Sequence, residues 1–233
     1  DSAEIYCTGT RRKGIKIMER LICLGIGYIF GMFQTGYLVG KSHHIDIRQC
    51  GSGNAGTTNA LRTLGKKAGA ITLLGDMFKC VLAILLVDHL FKNNYQVILP
   101  LLGMYTAAGC VLGHNFPFYL HFKGGKGVAA SAGMLLALDW KVFLIAAGVF
   151  LILFFTIHYV SVGSISAYVT ALICFVVFGA MGCYGMDIAH TVEMDVVMGL
   201  MTVLAVYRHR SNISRLLSGK ESKVYLGKNG KKE

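Results

Sequence analysis

The sequence is poor in charge and in proline. Charged residues make up 15% of its 233 positions, and only two positions are proline. Soluble domains carry about 25% charged residues. Hydrophobic residues reach 54% and recur in long runs, which a soluble core of this size cannot bury. A bilayer accommodates such runs, because a spanning helix needs roughly 20 mostly apolar residues. The composition therefore excludes an ordinary soluble domain and predicts a protein that lies in a membrane.

Clustered metal ligands are also missing. The seven cysteines are scattered, and none forms a CxxC pair. An odd number of cysteines in mostly apolar surroundings indicates buried free thiols. The net charge of +11 is not carried by a basic amphipathic segment interleaved with aromatics. This charge suits anionic lipid headgroups or an anionic substrate, and we expect neither a metal site nor a nucleic-acid partner.

Long apolar runs predict an all-α, polytopic integral membrane helical bundle of about seven transmembrane helices. The predicted helices cover residues 21–40, 68–91, 95–119, 127–138, 141–159, 161–182 and 192–207. The fourth has only twelve residues and would reach about 18 Å, roughly half a bilayer. It is either a half-helix or fused to the fifth through Asp139, Trp140 and Lys141.

The chain divides into one domain and two short flanks. Residues 1–17 form an N-terminal extension that we expect to be disordered, because Met18 would make a natural start. Residues 18–226 form a single transmembrane domain, and residues 227–233 form a basic C-terminal tail.

Counting crossings puts three polar segments on one side of the membrane. Segments 41–67, 120–126 and 208–233 follow one, three and seven predicted spans, and all three numbers are odd. Together these segments hold 15 of the 23 lysines and arginines. The positive-inside rule therefore puts them in the cytoplasm, although the basic residues of the N-terminal extension oppose this orientation. Fusion of the fourth and fifth helices would move the third segment to the other side.

The first polar segment contains Gly-Ser-Gly-Asn-Ala-Gly-Thr-Thr-Asn-Ala-Leu-Arg at residues 51–62. Gly51, Gly53 and Gly56 match the spacing GxGxxG, but a dinucleotide site needs a preceding strand, and a membrane helix precedes this segment. Glycines let backbone N–H groups approach an anion, and the small polar side chains add donors. We therefore favour anion binding over the alternative, a loop that only turns the chain.

The second polar segment contains two lysines among three glycines, Lys-Gly-Gly-Lys-Gly at residues 123–127. It is not a Walker A loop, because Gly127 stands where that motif has Ser or Thr. Its ammonium groups and the N-terminal amides of the next helix suit a phosphate. The alternative is an ordinary basic turn on the cytoplasmic side.

The third polar segment brings His209 and Asn212 to one face of a predicted helix, because they are three residues apart. The alternative is a basic amphipathic helix on anionic lipid. Within the second span, Asp76 and Lys79 have the same spacing and can pair. A charge at mid-bilayer costs about 2.5–3.5 kcal/mol, so we expect a function there, and a structural ion pair is the alternative.

Taken together, these segments resemble one family, the acyl-phosphate-dependent glycerol-3-phosphate acyltransferases of bacterial plasma membranes. The resemblance rests on residues 51–62, on GHNFPFYLHFKGGKG at 113–127, on HRSNISRLLSGKE at 209–221 and on LGDMFK at 74–79. It covers nearly the whole chain, and three motifs in the right order make it specific. Cys80 stands where the family usually has Gly.

The resemblance implies that the transmembrane domain is an acyltransferase. Members of this family transfer a fatty acyl group from acyl phosphate to the 1-hydroxyl of glycerol 3-phosphate. The products are lysophosphatidic acid and phosphate, in the first acylation of phospholipid synthesis, and no metal or organic cofactor takes part. The implied partners are the two substrates, membrane lipid and, functionally, the soluble enzyme that produces acyl phosphate. The implied location is the bacterial plasma membrane, with the motif loops in the cytoplasm.

Motif matching assigns roles to individual residues. The implied catalytic residues are Ser52, Arg62, His209 and Asn212. Glu221 is implied as a structural brace for a nearby Arg or Lys. Either His209 or a phosphate oxygen of the donor takes the proton of the attacking hydroxyl. The implied substrate-binding residues are Gly53, Asn54, Asn59, Asp76, Lys79, His114, Lys123, Gly124, Gly125, Lys126 and Gly127.

Three rival functions remain. A transporter of an anionic metabolite would suit glycine-rich breaks and intramembrane charge, but it predicts binding groups near the midplane and repeated halves, which we do not find in the sequence. A non-catalytic membrane scaffold would not need three glycine-rich polar loops. An acyltransferase that uses acyl-CoA or acyl carrier protein would differ from the family only in its donor.

Overall fold

Helices make up the regular secondary structure in the part of the chain that the structure describes. This computed structural model describes residues 17–225, so the rest of the expected N-terminal extension and the basic C-terminal tail lie outside the described residues. The prediction of an all-α membrane bundle is confirmed. The helices are α1 (Ile17–Gly31), α2 (Thr35–Ser42), α3 (Thr57–Leu64), α4 (Lys66–Tyr95), α5 (Leu99–Asn115), α6 (Val128–Leu138), α7 (Trp140–Ile157), α8 (Val160–Ala180), α9 (Ile188–Arg208) and α10 (Arg210–Leu217).

Seven apolar helical segments of residues 17–225 correspond to the seven predicted spans. Five stretches of residues 17–225 are long and apolar enough to be membrane spans. One of them, Lys66–Leu120, contains both α4 and α5, which are joined by a short turn at residues 96–98. The shorter apolar helix α6 has 11 residues and is about 16 Å long. Counting α4 and α5 separately and including α6 gives the expected number.

The first predicted helix, 21–40, is interrupted in the structure. α1 ends at Gly31 and α2 begins at Thr35, and the carbonyls freed by the break need partners because lipid supplies none. The Lys79 ammonium donates to the carbonyls of Gly31 at 3.1 Å and Phe33 at 2.7 Å. The buried amide of Gln34 donates to the carbonyl of Gly31 at 3.4 Å. The prediction of one continuous helix was wrong, because these tertiary partners stabilise a break.

The fourth and fifth predicted helices are separate, as α6 and α7. Asp139 lies between them, and its carboxylate accepts hydrogen bonds from the backbone N–H of Lys141 at 2.9 Å and of Val142 at 3.4 Å. A side-chain acceptor at this position caps the start of a helix. The cap excludes fusion of the two helices into one.

α1 and α5 make the most extensive helix contact within residues 17–225, along a seam of four glycines. A Cβ added at Gly27, Gly31, Gly109 or Gly113 would lie 1.9–2.2 Å from a carbonyl oxygen of the opposite helix. Small residues four apart let helix backbones approach in membranes, where dispersion and weak polar contacts drive association. The seam therefore forms a rigid wall and holds the end of α5 in place beside the three polar segments.

The three polar segments meet at one end of the bundle, which we call the motif end. α3 lies within the first segment, the 116–127 loop follows α5, and α10 follows α9. The turn between α7 and α8 also lies there, because the carbonyl of His158 accepts a hydrogen bond of 3.0 Å from the backbone N–H of Val224. The turns after α4, α6 and α8 lie at the opposite end. The shared end agrees with the parity of the predicted crossings.

Candidate active site

A polar cavity of about 160 Å³ opens at the motif end, and we call it the inner cavity. All three motifs contribute to its wall, together with α4, α5 and the start of α8. The four predicted catalytic residues all line it, and so do six of the predicted substrate-binding residues. These ten residues are Ser52, Arg62, His209, Asn212, Asn54, Asn59, Asp76, His114, Lys126 and Gly127.

Asn59, which lies in α3, stabilises the conformation of the loop that carries the first motif. Its buried side-chain amide donates to the carbonyls of Ile47 at 2.9 Å and Cys50 at 3.0 Å. Its oxygen accepts a hydrogen bond of 2.9 Å from the backbone N–H of Ser52. The loop also needs Gly51, whose φ of +56° is in the left-handed region that favours glycine. Asn59 therefore positions Ser52 at the rim of the inner cavity.

A chain of hydrogen bonds joins the second motif to the third. The Lys126 ammonium donates to Oδ1 of Asn212, whose Nδ2 donates to Oε1 of Glu221 at 2.6 Å. Glu221 also accepts from Nε of Arg215 at 2.7 Å and from the Ser161 hydroxyl at 3.2 Å. Glu221 thus fixes the orientation of the Asn212 amide, which in turn faces Lys126. Glu221 therefore has the geometry expected of a residue that supports its neighbours structurally.

Burial and neighbouring charge change the acidity of this network. Burial and the nearby Arg215 guanidinium lower the pKa of Lys126 to about 8, so its ammonium form still predominates at neutral pH. Burial opposes ionisation of Glu221, but hydrogen bonds from Asn212 and Arg215 outweigh it and hold the pKa of Glu221 below its usual range. The site therefore holds one carboxylate that contacts Arg215 directly and is linked to the Lys126 ammonium through Asn212.

His209 is a neutral hydrogen-bond acceptor in this site. Its Nδ1 lies 2.8 Å from the carbonyl oxygen of Ala205, a contact in which the ring must donate. Burial and the nearby Lys126 and Arg208 lower the pKa of His209 to about 4, so the ring is neutral near pH 7. A neutral ring that donates through Nδ1 keeps a free lone pair on Nε2.

Asp76 and Lys79 form the ion pair that their spacing predicts, and both are buried. The Lys79 ammonium donates to Oδ1 of Asp76 at 2.8 Å and to Nδ1 of His114 at 2.9 Å. The Thr35 hydroxyl donates to the same Asp76 oxygen at 3.1 Å. Asp76 and His114 line the inner cavity, whereas Lys79 lines neither this cavity nor its neighbours. Lys79 is directed to the α1–α2 break instead.

The second motif folds back on the end of α5. The backbone N–H of Gly124 donates to the carbonyl of Asn115 at 3.2 Å, and that of Gly125 donates to the carbonyl of His114 at 3.0 Å. A Cβ on Gly125 would lie 2.0 Å from Nε2 of His114. These two amides are thus used within the loop and do not face an anion, and Gly125 packs away from the cavities. Of the two lysines of this motif, Lys126 lines the inner cavity and Lys123 does not.

A wider basin of about 620 Å³ lies outside the inner cavity, and we call it the outer basin. Three predicted substrate-binding residues, Gly53, Lys123 and Gly124, line this basin and not the inner cavity. Its wall carries many cationic side chains: Arg48, Lys123, Lys126, Arg208, Arg210 and Arg215. The basin is a positively charged entrance that would attract anionic substrates.

An apolar groove of about 260 Å³ continues from the inner cavity between α4, α6, α7 and α8. The groove and the inner cavity share wall residues, among them Leu73, Ala129 and Phe150. Some of its lining is exposed at the bundle surface, such as Leu73 at 38% and Leu151 at 48%. The groove is therefore open towards lipid and is shaped for a hydrocarbon chain.

Polar residues to which motif matching gave no role also line the inner cavity, among them Thr57, Ser161 and Arg215. Arg215 carries a usable signal, because it lies three residues after Asn212 on α10. Ser161 carries none, since it sits among apolar residues at the start of α8. Within residues 17–225, no group of three or more His, Cys, Asp or Glu side chains is arranged to hold a metal ion.

Comparison with known proteins agrees with this geometry. A family profile described as glycerol-3-phosphate acyltransferase matches residues 21–219. A protein of that name from Lactiplantibacillus plantarum is 42% identical over 213 residues, which are 90% of this chain and 94% of the relative. Another from Clostridioides difficile is 40% identical over 212 residues, 90% of this chain and 98% of the relative.

Two solved structures share the fold at 32% sequence identity. Both are crystal structures of PlsY (YgiH), described as an integral membrane glycerol 3-phosphate acyltransferase. The glycerol 3-phosphate form matches with a TM-score of 0.77 over 88% of this chain and 96% of that chain. The lysophosphatidic acid form matches with a TM-score of 0.74 over 88% and 95%. The chain therefore belongs to the glycerol-3-phosphate acyltransferase family, as an integral membrane acyltransferase.

Proposed function

We propose that this enzyme transfers a fatty acyl group from acyl phosphate to the sn-1 hydroxyl of glycerol 3-phosphate. The products are lysophosphatidic acid and phosphate, in the first acylation of phospholipid synthesis. One observation carries the proposal: a small cationic cavity shares its wall with an apolar groove. The related PlsY structures in glycerol 3-phosphate and lysophosphatidic acid forms support the same substrate and product.

The acceptor binds in the inner cavity with its phosphate on the ammonium of Lys126. The hydroxyl at carbon 1 is held by Nε2 of His209 and by Asn212, which line the same cavity. Glu221 fixes the orientation of the Asn212 amide, and Ser161 donates a hydrogen bond to Glu221. Positioning of this kind supplies much of the rate enhancement when two bound reactants must meet.

The donor binds with its acyl chain in the apolar groove and its phosphate at the first motif. Ser52 and Arg62 line the inner cavity and stabilise charge on the carbonyl oxygen and on the departing phosphate. The acceptor oxygen attacks the acyl carbon, and the bond from that carbon to the phosphate oxygen breaks. Because an acyl phosphate is a mixed anhydride with a good leaving group, no acyl-enzyme intermediate is required.

The departing phosphate takes the proton of the attacking hydroxyl. A general base works best when its pKa is near the operating pH, and the pKa of His209 is lowered to about 4. The second pKa of a phosphate monoester is about 6, so a donor phosphate oxygen is the stronger base near neutral pH. His209 orients the hydroxyl, and Lys79 stabilises the helix break without touching substrate.

Acyl phosphate fits the site better than a thioester donor. The inner cavity of about 160 Å³ is smaller than the 300–1,000 Å³ typical of drug-sized ligand sites. It suits glycerol 3-phosphate and one phosphate group, whereas the nucleotide of acyl-CoA would have to lie in the outer basin. The soluble enzyme that produces acyl phosphate would deliver its product at the motif end.

The motif end faces the cytoplasm of a bacterium, with the bundle in the plasma membrane. The outer basin concentrates cationic side chains at this end, and the positive-inside rule favours the cytoplasm for them. A transporter is the second candidate, but it requires a binding site reachable from both ends, whereas the polar cavities described here open at the motif end.

A direct test uses the purified protein in detergent with glycerol 3-phosphate and either palmitoyl phosphate or palmitoyl-CoA. We expect lysophosphatidic acid from palmitoyl phosphate and none from palmitoyl-CoA. Product from the thioester alone would reject the donor assignment. Uptake of glycerol 3-phosphate into liposomes carrying the protein, without product formation, would favour the transporter.

A further inference from the structure

We infer that Asp76 recognises the hydroxyl at carbon 2 of glycerol 3-phosphate and rejects acceptors that carry a ketone there. This inference rests on the proposed function and names a specificity-determining residue for it. Asp76 would make the site selective for a glycerol phosphate over its oxidised analogue, dihydroxyacetone phosphate.

The two carboxylate oxygens of Asp76 have different surroundings. Asp76 is 1% exposed and lines the inner cavity. Its Oδ1 accepts hydrogen bonds from Lys79 at 2.8 Å and Thr35 at 3.1 Å. Its Oδ2 is buried and has no hydrogen-bond partner among residues 17–225. Native proteins pair nearly all buried polar atoms, so an unpaired acceptor on a residue that lines a cavity points to a donor on the ligand.

The chemistry of a carboxylate restricts what that donor can be. Asp76 forms an ion pair of 2.8 Å with Lys79, and an ionised carboxylate only accepts hydrogen bonds. It would repel a phosphate or a carbonyl oxygen and would attract a hydroxyl. The ligand groups that can donate are therefore the two hydroxyls of the acceptor substrate.

The hydroxyl at carbon 2 is the one left for Asp76. His209 and Asn212 hold the reacting hydroxyl at carbon 1, and Lys126 holds the phosphate at carbon 3. A hydrogen bond to Asp76 would also keep the second hydroxyl away from the acyl carbon. The same contact would thus favour acylation at carbon 1 over carbon 2.

A purely structural role for Asp76 explains only half of its geometry. Neutralising Lys79 accounts for Oδ1, which the ammonium contacts. It does not account for an unpaired Oδ2 on a residue that lines the inner cavity. The two roles make different predictions about substrate choice, because loss of a structural pair would reduce all acceptors alike.

The test compares kcat/KM for glycerol 3-phosphate, 1,3-propanediol phosphate and dihydroxyacetone phosphate, each with palmitoyl phosphate. The second compound lacks the hydroxyl, and the third replaces it with a ketone. For the wild-type enzyme, we expect both analogues to be used about 10- to 150-fold less well, the range for losing a hydrogen bond to a charged group. Equal use of glycerol 3-phosphate and propanediol phosphate would overturn the inference.

The variant Asp76→Asn should change this preference. Lys79 requires an acceptor, so the amide oxygen would face the ammonium and the amide NH2 would take the place of Oδ2. An NH2 group donates to a ketone, so the ratio of kcat/KM for dihydroxyacetone phosphate to that for glycerol 3-phosphate should rise at least about tenfold. An unchanged ratio, with both values reduced alike, would support the structural role and reject the inference.

Thr35→Val is the matched control, because Thr35 contacts Oδ1 and not Oδ2. This variant should keep the wild-type ratio between acceptors, and a shifted ratio would count against the assignment to Oδ2. If Asp76→Asn does not fold, the wild-type comparison of the three acceptors decides alone. Failure of the enzyme to acylate any acceptor from palmitoyl phosphate is a separate result, which would reject the proposed function itself.

Discussion

Replacing Lys126 with Met should weaken glycerol 3-phosphate binding far more than replacing Lys123 with Met. Lys126 lines the inner cavity and donates to Asn212, whereas Lys123 is exposed and lines only the outer basin. A hydrogen bond to a charged group contributes about 1.5–3 kcal/mol. Its loss should raise the KM for glycerol 3-phosphate about 10- to 150-fold. An exposed charge contributes at most about 1 kcal/mol, so Lys123→Met should raise KM less than roughly fivefold.

The assay is steady-state product formation in detergent at pH 7, with glycerol 3-phosphate varied at a fixed level of palmitoyl phosphate. The pH dependence gives a second readout. The pKa of Lys126 is lowered to about 8, so its ammonium is present below that pH and is lost above it. The KM of the wild-type enzyme should rise above pH 8, whereas that of Lys126→Met should show no such rise. A wild-type KM in Lys126→Met, or equal effects of the two substitutions, would refute the phosphate role of Lys126.

Three further predictions address the brace, the groove and the orientation. Glu221→Gln removes the negative charge that accepts hydrogen bonds from Asn212 and Arg215. We expect kcat to fall about 10- to 100-fold. The unfolding temperature, measured by scanning fluorimetry, should change little. Ala147→Phe should obstruct the apolar groove and reduce turnover of palmitoyl phosphate at least about tenfold. Ile152→Phe, on the exposed side of the same helix, should not reduce turnover. Equal losses in the two variants would contradict the groove assignment. The orientation can be tested in right-side-out vesicles with an impermeant maleimide and variants that keep a single cysteine. The reagent should label a variant that keeps only Cys183, at the end opposite the motifs, and should not label one that keeps only Cys50. The reverse labelling pattern would show the opposite orientation.

The number of helices and their shared end were predictable, because they depend on run length and crossing parity alone. The break between α1 and α2 was not predictable, since residues 21–40 contain no proline and form one apolar run. What stabilises the break is a lysine from another helix, Lys79, together with Gln34. Tertiary partners of this kind do not alter the hydrophobic periodicity of the segment that they contact.

The candidate site shows the same division between local and tertiary information. The three motifs are local patterns, so the residue types suited to phosphate could be found in the sequence. The charge of Lys79 was equally visible, but whether it faces a cavity or a backbone carbonyl depends on a neighbouring helix. Ser161 gave no signal, because its relevance comes from a contact with Glu221, 60 residues away.

The depth of the apolar groove has a consequence for the membrane as a whole. The groove follows α6 over the eight residues from Val128 to Leu135, a rise of about 10 Å, which is less than half of a hydrocarbon core of about 30 Å. An acyl chain held there, as we propose, would stay within one monolayer, and the product would be released into that monolayer. New lipid would accordingly enter the bilayer on a single side, and growth of the other side would depend on lipids flipping across.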